Sequence, residues 1–139
     1  MAVARDSPYL ASNFRVEFGE RGGHNVDAGF CEVVFPDFVL RRPAKAASGA
    51  NLILRRGVQG SLDLYTWFEE ERRRAPRAKS RKLHDLRISL LNEDHSATVM
   101  TWRFINVRPV RLSYSPLQSQ ASEVLYETLE LEFERVEVG

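Results

Sequence analysis

The sequence predicts a mainly β fold, of mixed α+β composition: a β-barrel or β-sandwich with one flanking α-helix. Three observations point there. Runs such as "NFRVEFG", "LRISLL" and "TVMTWRFINV" alternate apolar and polar residues with the period-2 signature of half-buried strands. Turn-forming clusters rich in Gly, Asn, Asp and Pro separate those runs. Only one stretch, Ser61 to Arg74, carries apolar residues at helical spacing.

Taken in order, "NFRVEFG" sets Phe14, Val16 and Phe18 on one side of a strand and Asn13, Arg15 and Glu17 on the other. "ERGGHN" (20–25) is a glycine-rich turn. "VDAGFCEVVF" (26–35) resumes strand character until Pro36 interrupts it, and "DFVLRR" (37–42) reads as a short or edge strand. Residues 43–50 form a small-residue loop. "NLILRRGV" (51–58) is a strand with Leu52 and Leu54 on one face, and Gly57 and Gly60 bracket the turn that follows. Ser61 is the expected N-cap and Asp63 suits the first helical turn. Leu64, Tyr65, Trp67 and Phe68 then make one apolar face, and Pro76 places the helix end near Arg74.

The second half reads as strands. Leu86, Ile88 and Leu90 alternate, the turn "NEDH" (92–95) follows, and Met100, Trp102 and Phe104 alternate next. Pro109 is expected to divide that strand from "VRLSYS" (110–115). After the loop at 115–121, "SEVLYETLELEFERVEV" sets Leu125, Leu129, Leu131 and Phe133 against Glu130, Glu132 and Glu134. No repeat or second domain is evident, so residues 1–139 are expected to form a single domain.

Composition excludes several function classes. Twenty basic residues against 19 acidic ones lack the basic excess of a bulk nucleic-acid binder. The single cysteine, Cys31, rules out an internal disulfide framework. No apolar run approaches the roughly 20 residues of a membrane helix, and the N-terminus lacks a signal-peptide stretch. These features imply a chain made and folded in the cytoplasm, with no membrane insertion. His24, His84 and His95 have no metal-ligand spacing, so no metal and no cofactor are expected. "GVQG" (57–60) has neither a P-loop lysine nor a dinucleotide fingerprint. Asp94 and His95 would be the pair for a small hydrolase, but adjacent turn residues point into water rather than converge on a pocket. No catalytic set emerges, and the expected answer is a non-enzyme.

The charge distribution is more informative than the net charge. Arg41, Arg42, Lys45, Arg55 and Arg56 lie in a stretch without acids, and residues 72–82, beginning with Arg72, Arg73 and Arg74, hold seven basic residues and no acid. Residues 123–139 hold six glutamates, Glu130, Glu132 and Glu134 among them, and only Arg135 as a counter-charge. Separated strips of this kind either pair head to tail between copies or neutralise each other within one subunit. The first option makes Arg41, Arg42, Lys45, Arg72, Arg73, Arg74, Glu130, Glu132 and Glu134 candidate subunit contacts. A monomeric β-barrel using residues 72–82 on nucleic acid is the alternative from another class.

Four ordered stretches, "SPYLASNFRVEF", "AGFCEVVFPDF", "NLILRRGVQGSLDLYTWF" and "MTWRFINVRPVRLSYSPLQSQASEVLYETLELEFE", together resemble the tail-tube family of contractile phages and extracellular contractile injection systems. The resemblance implies a tail-tube fold and a non-enzymatic virion or particle component. Six copies would form a ring, and stacked rings would form a hollow conduit inside a sheath, seated on a baseplate, through which cargo or DNA passes. It also implies strands shared between subunits. "LRRPAKAASGA" is shorter than the family's excursion at this point and lacks its Leu-Pro-Gly ending. That departure implies either a tube subunit with a reduced ring-engaging loop or a tube-initiator ring at the baseplate.

Overall fold

The computed structural model describes residues 7–20, 26–40, 51–74 and 84–139. These contain eight strands, β1 (Phe14–Glu20), β2 (Val26–Asp27), β3 (Glu32–Val34), β4 (Leu52–Gly57), β5 (His84–Leu91), β6 (Thr98–Tyr114), β7 (Tyr126–Glu132) and β8 (Arg135–Val138), and one helix, α1 (Asp63–Arg73). Every strand pairing is antiparallel. The mainly β class with a single helix is therefore the observed one.

The chain forms two compact units, Met1–Gly29 with Lys82–Val107 and Phe133–Gly139, and Phe30–Arg81 with Arg108–Glu132. The long strand β6 contributes its first part to one and its second part to the other.

The first unit orders its sheet β2-β1-β5-β6-β8. Alternation sorts its side chains into two faces. Val16, Ile88, Trp102 and Val138 fall in one cross-strand row, and Phe18, Leu86, Phe104 and Val136 in the next. Val16, Leu86, Ile88 and Phe104 are buried there. On the other face Glu17, Arg87, Arg103 and Glu137 form a charged row, with Arg87 donating to Glu17 at 3.2 Å. Asp85, buried, accepts from Arg103 at 3.0 Å and from the Asn106 N–H at 3.2 Å. Asn106 has φ 54°, the left-handed region that asparagine tolerates best after glycine.

The second unit orders its sheet β6-β7-β4-β3, using residues 108–114 of β6. Leu52 and Leu54 of β4 face Leu131 and Leu129 of β7, and all four are fully buried. Each such side chain contributes about 1.5–3 kcal/mol through burial. Gly60, at φ 87°, turns the chain into α1, a conformation that a residue with a Cβ adopts only under strain.

Several expectations are corrected. "VDAGFCEVVF" is two strands rather than one, because Gly29 at φ 70° breaks the extended run between β2 and β3. Residues 37–40 of "DFVLRR" carry no strand pairing, while Arg41 and Arg42 lie outside the described residues. Pro109 does not end its strand: β6 runs through it, with a register irregularity between Pro109 and Arg111. Proline lacks only a donor, so a bulged position at a sheet margin accepts it. The last strand breaks at Phe133 and Glu134 into β7 and β8, and it begins at Tyr126 rather than earlier. Leu62, not Ser61, occupies the N-cap, and only Leu64 of the helical apolar face is buried. Trp67 and Phe68 are half-buried and Tyr65 is exposed.

Candidate functional site

The second unit's sheet places a buried charge where its sequence pattern continues the leucine rows. Arg56 and Glu127 are the cross-strand pair following Leu54 and Leu129, so alternation aims both at the core side. Both are buried, and the Arg56 Nε–H donates to Glu127 Oε1 at 2.6 Å. The same guanidinium forks to Asp63, with Nη1 at 3.2 Å from Oδ2 and Nη2 bonded to Oδ1. It also lies 5.5 Å from the Phe30 ring centre. One planar cation thus joins β4, β7 and the first residue of α1.

Asp63 organises the helix start as well. Its Oδ1 accepts the Leu64 N–H at 2.8 Å, and its own N–H donates to Ser61 Oγ at 3.3 Å. Burial is the largest influence on its carboxyl and favours the neutral form. The bonds from Arg56, Ser61 and the Leu64 N–H outweigh it and hold the pKa below the ordinary 3.8. A depressed carboxylate pKa contributes stability above the unfolded value and loses it as pH falls through the folded one. Wild type is therefore expected to lose more stability between pH 5 and pH 2.5 than Asp63→Asn, as read by urea midpoints at each pH. Equal losses in the two proteins would show that Asp63 does not carry this linkage.

The candidate contact residues are distributed as follows. Arg72 pairs with Glu69 at 2.9 Å, Arg73 with Glu69 at 3.4 Å and Arg74 with Glu71 at 3.3 Å, all at the C-terminal end of α1. Glu130 accepts from Asn51 at 3.0 Å, the Arg108 Nε–H donates to Glu132 at 2.6 Å, and Glu134 accepts from Asn106. Glu130, Glu132 and Glu134 thus have partners within their own chain. Arg41, Arg42 and Lys45 lie outside the described residues, as does the basic stretch 75–83. Arg55 spans Glu32 at 3.2 Å and the Tyr126 ring at 4.3 Å, beside an open groove of about 460 Å³ lined also by Leu117, Glu123 and Val124.

The turn at 92–97 separates the hydrolase pair. Asp94 accepts the Ser96 N–H at 3.0 Å, whereas the His95 ring meets Asn13 at 3.1 Å. Among the described residues no cluster of His, Cys, Asp and Glu has metal-holding geometry, and no helix is long and apolar enough to cross a membrane.

What sequence reading missed is the Arg56–Glu127–Asp63 cluster. The signal was present: Arg56 shares parity with Leu52 and Leu54, and Glu127 with Leu129 and Leu131.

Antiparallel sheets with one helix, its start fastened by a buried arginine, define a mainly β protein. The chain belongs to the T4-like virus tail tube protein gp19 family, whose model matches residues 10–137, and it is a structural tube subunit. Its fold is similar to a chain of the anti-feeding prophage baseplate, at 24% identity over 97% of each chain with a TM-score of 0.71. A chain of an extracellular contractile injection system sheath–tube complex matches at 21% identity, covering 95% of this chain and 91% of that one, with a TM-score of 0.72. Hcp1 from Flavobacterium johnsoniae matches at 18% identity, covering 90% and 94%, with a TM-score of 0.57. A search of curated proteins finds no match.

Proposed function

We propose that the chain acts as a single tube-like domain, six copies of which close into a ring, and that the rings stack into a hollow conduit for cargo delivery. The observation that carries this reading is an open margin in the second unit. Residues 108–114 of β6 pair with β7 on one side, and among the described residues no strand pairs with the other. β3 is likewise a margin, paired among the described residues with β4 alone. A sheet with two unsatisfied margins gains hydrogen bonds and hides its edges by joining further copies. Family membership over nearly the whole chain supports the same reading.

In this reading the partners are other copies, then the sheath and baseplate of the particle, with cargo or DNA in the lumen. Assembly takes place in the cytoplasm, and the role is mechanical rather than enzymatic. Arg41, Arg42, Lys45 and Arg72–Arg74, with Glu130, Glu132 and Glu134, supply charged contacts between copies. The similarity to a baseplate chain favours one further reading, an initiator ring. Copy number per particle separates the two: many rings for the tube, one for the initiator.

The purified protein is expected to form rings or tubes in negative-stain micrographs, with a matching oligomer mass by light scattering. A strictly monomeric species at high concentration would overturn the proposal.

A further inference from the structure

We propose that the conduit wall built by this chain is electrically balanced and passes polypeptide of either sign without holding it. The wall is the face of the second unit's sheet opposite the leucine rows. This rests on the ring reading and specifies how the lumen treats what enters it.

The helix decides which face turns inward. Arg56 shares its side of the sheet with Leu52 and Leu54, and it holds Asp63 at the start of α1. Leu64, the next residue, is buried. α1 therefore begins on the leucine side. A helix with its side chains is about 10–12 Å across, so copies of α1 turned inward would fill a bore. The leucine side faces out, and the opposite face lines the lumen. That face is open to water along its rows: Ser113, Thr128 and Glu130 are half-exposed and Arg111 is exposed.

Charges on this face cancel locally. One cross-strand row holds Glu32, Arg55, Thr128 and Ser113, and the next holds Val34, Ile53, Glu130 and Arg111. Arg108 and Glu132 face each other beyond them. Among the described residues of these rows, three arginines thus meet three glutamates. Opposite charges adjoin. Arg55 lies 3.2 Å from Glu32, the Arg108 Nε–H donates to Glu132 at 2.6 Å, and Arg111 stands opposite Glu130 in the register. Pairs this close leave little field beyond a Debye length, about 8 Å at physiological salt. β7 is one strand from the β6 margin, and strands lie about 4.8 Å apart. Glu130 and Glu132 therefore line the wall and still lie within reach of a neighbouring copy.

Apolar surface is sparse on the same face. Of the exposed large apolar side chains, only Val34 belongs to these rows. Leu62 and Tyr65 stand at the start of α1, and Phe38, Val39 and Leu40 lie beyond β3. A wall of one sign would concentrate cargo of the other sign about 10–10³-fold. An apolar wall would retain unfolded chain. This face has neither property. Nucleic acid, whose binding depends on cations free to replace its counterions, gains little from arginines already paired.

Two measurements on assembled protein test placement and charge separately. In a Cys31→Ser background, Thr128→Cys is expected to react with a bulky dextran-linked maleimide about tenfold more slowly in tubes than in the dissociated subunit, since access limits the thiol. Glu70→Cys on α1 is expected to react alike in both states. Equal reaction of Thr128→Cys in both would put this face outside the lumen and overturn the proposal. For charge, a small dye coupled to Thr128→Cys before assembly reports entry by energy transfer from labelled oligolysine, oligoglutamate or single-stranded DNA. Wild-type wall charges are expected to admit the two peptides to within about twofold of each other, against the tenfold or more of a one-signed wall. Glu130→Gln with Glu132→Gln is expected to favour oligoglutamate about tenfold, and Arg108→Gln with Arg111→Gln to favour oligolysine as much. The comparison with wild-type charges stands by itself if a charge variant fails to assemble. A larger preference there for either peptide, or for the DNA over both, would overturn the balanced wall and leave the ring reading standing. Absence of any ring would overturn both.

Discussion

Replacing Arg56 with alanine is expected to destabilise the subunit by about 3–5 kcal/mol, the range for breaking a buried ion pair from one side. Glu127 is the reason. It is only 4% exposed and takes a 2.6 Å hydrogen bond from Arg56. Without the guanidinium it must stay buried and uncompensated or take up a proton. Asp63 is less vulnerable, because its side chain is 55% exposed and water can replace the lost bond. The loss is a large part of a typical domain stability of about 5–15 kcal/mol. Arg56→Lys is expected to recover little, since a single ammonium cannot serve two carboxylates as a planar fork does. Arg56→Met with Glu127→Leu is expected to recover most of it, since no buried charge is then left alone. Urea denaturation followed by circular dichroism measures all three. A cost below about 1 kcal/mol for Arg56→Ala would mean that Glu127 reaches water.

The alternation rule that made the leucine rows readable also contained this cluster. Leu52, Leu54, Leu129 and Leu131 were legible because apolar residues at period 2 have one plausible destination. Arg56 and Glu127 obey the same parity, but polarity normally argues for solvent, and nothing local says that two strands distant in sequence will bring opposite charges together. Pro109 misled for a related reason. Its rule concerns central strands, and whether a residue sits at a margin depends on which strands assemble around it. Gly29 broke a run whose side chains all suited a strand, because φ is a backbone property that composition records only weakly. The helix face was half legible: spacing placed Leu64 inward but could not rank Tyr65, Trp67 and Phe68 by depth. Of the candidate contacts, the cations of Arg72–Arg74 sit at a helix C-terminus, as local electrostatics favours. Glu132 meets Arg108 through strand register, whereas Glu130 and Glu134 find Asn51 and Asn106 outside any register pair.

The second large effect is expected at Phe104, where alanine should cost about 3–5 kcal/mol. Phe104 is fully buried in the first unit and shares its row with Leu86 of β5 and Val136 of β8. Its ring meets Phe133 edge-on, with centroids 4.9 Å apart and planes at 80°. Truncation therefore removes a large apolar surface, opens a cavity between three strands and takes away the ring that meets Phe133 edge-on. Phe104→Leu refills part of the volume and is expected to cost clearly less. A double-mutant cycle with Phe133→Ala isolates the ring–ring contribution, expected at about 0.5–1.5 kcal/mol beyond burial. Phe133 lies at the break between β7 and β8, and the Glu134 N–H beside it donates to the Ile105 carbonyl at 2.9 Å. Losing the ring contact should thus loosen β8 first, seen as faster amide exchange over Arg135–Val138 than over β5. If β8 stays as protected in Phe104→Ala as in wild type while the urea midpoint falls, the ring pair supports the core generally and does not hold that strand in place.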